Sequence, residues 1–220
     1  MKNEKRLGIA DLYEKKPAFA DLSATNEATE LSLVPEADQI SRLCTLLQNG
    51  CFVKVRVGCS LRDLLCGQFN ISPDYLRDDI KVLFINFSPV DNVDTAIVRD
   101  GIILALSAAM PGLVGAAMRK DGLSWMRSSI TYTEQEEERV ESEGVIQLKL
   151  FNLVMADLGE SFLRRGIYVK TDVLADFLER FPDEFLRKFS RITKKGEVIS
   201  ADDLSHFLTT SEGWVKLSIQ

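Results

Sequence analysis

The chain has 220 residues, 45% of them apolar and 27% charged, and a net charge of −6. Those proportions are globular, and the length is enough to bury a core without disulfide or metal staples. The negative balance argues against a non-specific hold on nucleic acid or on an anionic membrane surface.

Residues 1–29 are charge-rich and without apolar periodicity, and they read as a loose arm. No apolar run there has the length of a signal peptide, so the sequence predicts a cytoplasmic, reducing setting. Cys44, Cys51, Cys59 and Cys66 are then expected as thiols. Order is expected from Glu30. Residues 30–34 (ELSLV) alternate as a short strand, and Pro35 opens a helix in which Ile40, Leu43, Cys44 and Leu47 form one apolar stripe ended by Gly50. Residues 51–57 (CFVKVRV) alternate as a strand. Ser60 and Asp63 make a capping box for a short helix carrying Leu61, Leu64 and Leu65. Residues 81–87 and 101–107 are near-continuous apolar runs suited to strands buried on both faces.

Gly101 to Met118 carries no charge, yet Pro111-Gly112 breaks it near its middle. It therefore reads as a buried strand running into a loop, with no membrane span. Pro111, Gly112 and Gly115 are a candidate ligand loop, although the Lys-Ser/Thr of a P-loop and the third glycine of a dinucleotide fingerprint are missing. Trp125 and Trp214 read as packing anchors. The run from Glu134 to Glu143 holds six carboxylates and reads as a solvated linker over 131–144.

From 145 onward the spacing is helical. Leu150, Leu153, Val154, Leu158 and Phe162 form one stripe stopped by Gly166, and Leu174, Phe177, Leu178 and Phe181 form another. Leu204, Phe207 and Leu208 lie on a last short helix capped by Ser200. Residues 164–178 (RRGIYVKTDVLADFL) align without gaps to 194–208 (KKGEVISADDLSHFL), an internal repeat at an offset of 30 residues. IYV and EVI are expected to pair as a two-stranded ribbon. The repeat, over 150–208, resembles a degenerate EF-hand pair, with Gly196 at the loop's turn and Asp202 as the closing acid. Arg191, Thr193 and Lys195 stand where that plan puts oxygen ligands, so the resemblance implies a loop without Ca²⁺. Arg164, Arg165, Lys194 and Lys195 are candidates for anion binding.

In the first half, VKVRV, SLRDLLC, VLFIN with Asn86, RDG, IILALS and AAMPGLVG follow one another in an order that resembles the β-grasp sulfur carriers of molybdopterin and thiamine biosynthesis, over residues 53–115. The resemblance implies a ubiquitin-like α+β fold, with residues 30–34 supplying the hairpin partner of 51–57. Phe87 stands where the family has glycine. Gly112 and Gly115 are internal, so a carrier role would require processing near them.

The cysteines are spaced too widely for zinc knuckles and are weak metal candidates, so they read as small buried thiols. Cys59, just before a helix, is the best candidate for a lowered thiol pKa. His206 is the sole histidine and has no partner motif, and Asp91, Asp94 and Asp100 are loop acids without a spaced catalytic partner. The sequence therefore predicts an α+β protein, with a β-grasp-like domain over 30–130, an acidic linker over 131–144, and a helical repeat domain over 145–220. It is expected to be non-enzymatic, to need no cofactor, and to bind another protein. The alternatives are a processed sulfur-carrier relative and a cysteine-based metal or redox protein.

Overall fold

The computed structural model describes residues 27–120, 130–133, 140–182 and 184–220. Its strands are β1 (Thr29–Val34), β2 (Cys51–Val57), β3 (Val82–Ile85), β4 (Ser88–Pro89), β5 (Ile103–Ser107), β6 (Ser142–Phe151), β7 (Ile167–Lys170), β8 (Arg191–Lys194), β9 (Glu197–Val198) and β10 (Trp214–Ile219). Its helices are α1 (Ala37–Cys44), α2 (Leu46–Asn49), a π-type turn α3 (Asp63–Gln68), α4 (Pro73–Asp78), α5 (Gly112–Met118), α6 (Asn152–Arg165), α7 (Thr171–Leu178), α8 (Glu184–Arg187) and α9 (Ala201–Thr210). The molecule is thus mixed α and β.

All ten strands join one sheet, in the order β4-β3-β5-β6-β2-β7-β10-β1-β8-β9. Most neighbours are antiparallel; β5 with β6 and β1 with β10 are parallel. Both halves of the chain contribute, because β6 lies between β5 and β2 and β7 pairs with both β2 and β10. A β-grasp-like domain followed by a separate helical domain is therefore not confirmed.

Several expectations change for one reason, a two-residue apolar period outside the stretches read as strands. Residues 142–151 form a ten-residue strand where a linker and the start of a helix were expected, and Ile146, Leu148 and Leu150 are the buried alternates. Residues 214–219 form β10 with Val215, Leu217 and Ile219 buried. Residues 30–34 pair with β10 and β8, not beside 51–57, because Leu31 and Leu33 align with Leu217 and Ile219. IYV and EVI do not meet. β7 is interior, while β9 lies at the edge and pairs with β8. The second half of the repeat therefore carries a short helix, α8, and a strand, β8, where the first half has the single long helix α6.

One face of the sheet carries the core. α6 packs across β5, β6 and β10, α2 against β6, and α7 against β7 and α9. Caps set the helix starts: the Tyr75 amide donates to Ser72 Oγ at 3.1 Å, and the Asp203 amide to Ser200 Oγ at 3.0 Å. α6 and α1 approach closely at Gly159, where an added Cβ would stand 2.7 Å from Cys44 Sγ, so only glycine fits without movement. No helix among the described residues is long and apolar enough to cross a membrane.

Candidate interaction surface

β2 alternates Cys51, Val53, Val55 and Val57 toward the helices with Phe52, Lys54 and Arg56 toward the opposite face. Its partners do the same. Register aligns Phe52 with Gln147 and Tyr168, Tyr168 with Lys216, and Lys216 with Glu30. Residues directly opposite in a ladder share a face, so these side chains form one row across five strands. Outward positions on β6, β2, β7, β10 and β1 are half-buried or exposed, Phe52 excepted, which meets Trp214 edge-on with ring centres 5.1 Å apart.

The face around this row is cationic and aromatic. Lys54 Nζ lies 5.2 Å from the centre of the Tyr168 ring, and Lys170 Nζ 5.6 Å from that of Trp214. Such contacts hold the ammonium groups at the surface beside the rings. Lys216 Nζ reaches Glu30 Oε1 at 3.6 Å, a half-exposed pair of small energetic weight. Next to the row, over β3, β5 and β6, runs a mainly apolar groove of about 420 Å³ lined by Val82, Phe84, Ile103, Ala105 and Phe151, with Lys149 on its wall. Asn152 adopts φ +53° where β6 turns into α6, and its side-chain amide donates to Ser107 Oγ at 3.0 Å and the Ala109 carbonyl at 2.7 Å. Those bonds fix the end of the groove.

No protein-family model, curated protein or solved structure matches this chain.

The residues singled out in the sequence are dispersed. Cys44 and Cys51 face the core, and burial pushes their thiols up to about 11 and about 12, with the nearby Glu160 charge adding to the rise at Cys44. Cys59 departs from expectation. Its thiol is raised, not lowered, first by burial and then by the charges of Asp63 and Glu141, and its Sγ donates to the Arg56 carbonyl at 3.3 Å. Cys66 is half-buried on α3. Among the described residues no group of three or more His, Cys, Asp or Glu side chains is placed to hold a metal ion.

His206 is exposed on α9. Arg164 bonds Glu160 at 2.8 Å, Arg165 donates to the Gln68 carbonyl and covers the Phe69 ring, and Lys194 covers the Phe207 ring at 4.6 Å. The first pair precedes β7 and the second lies at the β8–β9 turn, with β10 and β1 between β7 and β8, so the four do not form one anion site. Asp94 is ion-paired with Arg62, which holds its carboxyl below the usual range, and Asp100 accepts from the Val145 amide at 2.7 Å. Gly112 sits at φ +76° and starts α5. The stretch after Pro111 is therefore a helix and not a loop. A Cβ on Gly115 would meet the Met110 carbonyl oxygen at 1.7 Å, so its glycine allows the backbone to approach closely. Trp125 lies outside the described residues.

The outward residues Lys54, Lys149, Lys170 and Lys216 belong to no motif and are not among the candidates drawn from the sequence. The available signal was the strict alternation of VIQLKLF (145–151) and WVKLSI (214–219), which places a lysine on the outer face of each strand.

Proposed function

We propose that this chain is a non-enzymatic protein-binding module that works in the cytoplasm through the sheet face opposite its helices. The observation that carries the reading is the contrast between that face and the rest of the molecule. Basic and aromatic side chains from five strands converge there, whereas the thiols and the histidine lie apart, and burial disfavours the thiolates of Cys44, Cys51 and Cys59. A nucleophile needs a partner base or a lowered pKa to react readily. A flat sheet face needs neither in order to bind.

Site-specific photocrosslinking tests this. A benzophenone side chain placed at Lys54, Ala105 or Thr193 reports on the outer face, and one at His206 or Glu160 reports on the helical side. Adducts of one discrete mass from the outer positions alone are expected in the native extract. Adducts only from the helical side, or turnover of a metabolite by the purified chain, would count against the reading.

A further inference from the structure

We infer that the partner seated on this face is an acidic segment of another protein carrying apolar anchor side chains, an inference that rests on the binding role proposed above and gives the partner its chemistry. Charge is the first observation. Over the whole chain, acids outnumber Lys and Arg by 33 to 27. On the outward positions of β6, β2, β7, β10, β1 and β8 the balance reverses: Lys149, Lys54, Arg56, Lys170, Lys216 and Arg191 face two acids, Glu143 opposite Arg56 and Glu30 beside Lys216. A basic face on an acidic molecule selects an anionic partner.

Spacing and shape are the second observation. Strands lie about 4.8 Å apart, and register sets Lys149 and Lys170 level on either side of Gly50 in a second row about 10 Å long, with Lys216 two residues and Lys54 four residues further along the strands. The groove of about 420 Å³ adjoins the β6 end of that row, with Lys149 shared by both. A segment laid across the strands would therefore place its carboxylates over Lys170 and Lys149 and its apolar side chains in the groove against Phe84, Ile103 and Phe151, with Lys54 and Lys216 adding positive charge to one side of its path. Single-stranded nucleic acid fits less well. It needs aromatic rings free for stacking, and the Tyr168 and Trp214 rings are already covered by Lys54 and Lys170. The polar side chains that the groove offers base edges are Lys149, Ser107 and an Asn152 amide already bonded within the protein.

The test is selection of random twelve-residue peptides on the full chain, followed by Kd measurements with the peptides recovered. Recovered peptides are expected to be acidic with at least one large apolar residue. The variant K54E/K149E is expected to weaken them by about tenfold or more, since two rim charges are reversed, and A105W, which fills the groove, is expected to weaken them with charge unchanged. Thermal unfolding of each variant confirms that it is folded. If A105W does not fold, Ala105→Met serves the same purpose. Recovery of no peptide, or of neutral or basic ones, overturns the inference. So does tighter binding of oligo(dT) than of any selected peptide, which assigns the face to nucleic acid. A dimer of the full chain that K54E/K149E separates assigns the face to a second copy and overturns it as well. Outer-face photocrosslinks that persist in any of these cases leave the binding role standing while the acidic chemistry falls; their absence removes both.

Discussion

Val53 and Lys54 are neighbours on β2, yet one lies under the helices and the other stands in the open row beside Tyr168. The same division runs along β6, where Leu148 is fully buried and Gln147 and Lys149 on either side are not. The two faces of this sheet follow different physics. The covered face is bound by volume and desolvation, so that a methyl group or a proton is costly there. The open face is bound by charge pattern, and it tolerates substitution while deciding what approaches.

The sharpest way to break that comparison is to truncate adjacent residues. Leu148→Ala should lose about 3 kcal/mol in urea unfolding, as large-to-small core changes do. Lys149→Ala should change stability by about 0.5 kcal/mol or less. Equal losses would show that the two faces are not distinct. A smaller effect is expected where the covered face is tightest. Gly159→Ala places a methyl group 2.7 Å from Cys44 Sγ, and overpacking of this kind costs about 1–3 kcal/mol. Cys44→Ala in the same background should restore part of the loss, with a coupling of about 1 kcal/mol in the double-mutant cycle. Strict additivity would mean that α1 and α6 do not meet there.

The two copies of the internal repeat show how much of this was legible. Residues 167–170 and 197–198 each follow a glycine and precede a helix, as their shared pattern indicates, and Ser200 caps the second helix as read. Their places in the sheet differ because Ile167 and Val169 bury toward the helices while Glu197 and Val198 are exposed, and no local rule weighs that. Strands β1, β2, β3 and β5 follow from apolar runs of ordinary kind. β6 was hidden because the change from strand to helix at Asn152 uses neither glycine nor proline, only a left-handed φ of +53°. Without β6 the row of lysines cannot be assembled. β6, β2 and β7 come from distant parts of the chain, and only their pairing puts Lys149 level with Lys170 and on the same face as Lys54.

A proton probes the covered face more gently. Burial pushes the Cys51 thiol up to about 12 from an ordinary value of 9.0. Above pH 9 the unfolded chain releases a proton that the folded chain keeps. Stability attributable to this thiol is therefore intact below pH 9 and is lost as pH rises toward 12, by about 1 kcal/mol per pH unit. Urea unfolding at pH 8 and pH 10.5 should show a larger drop for the wild type than for Cys51→Val, in which other alkaline groups titrate equally. Identical drops would mean that Cys51 is not held in a dry site.

The smallest change in stability is expected on the open face. Lys54→Glu removes one ammonium from the Tyr168 ring, a contact worth about 0.5–1 kcal/mol at an exposed site. It also places a carboxylate beside Arg56, which recovers some of that loss by Coulomb attraction in high dielectric. The net shift should be within about 0.5 kcal/mol by urea unfolding. Lys54→Met keeps the aliphatic stem over the ring and drops only the charge, so it should fall between the wild type and the glutamate variant. If Lys54→Glu instead costs as much as Gly159→Ala, then Lys54 is part of the packing, and the open face is an extension of the core, not a surface kept for a partner.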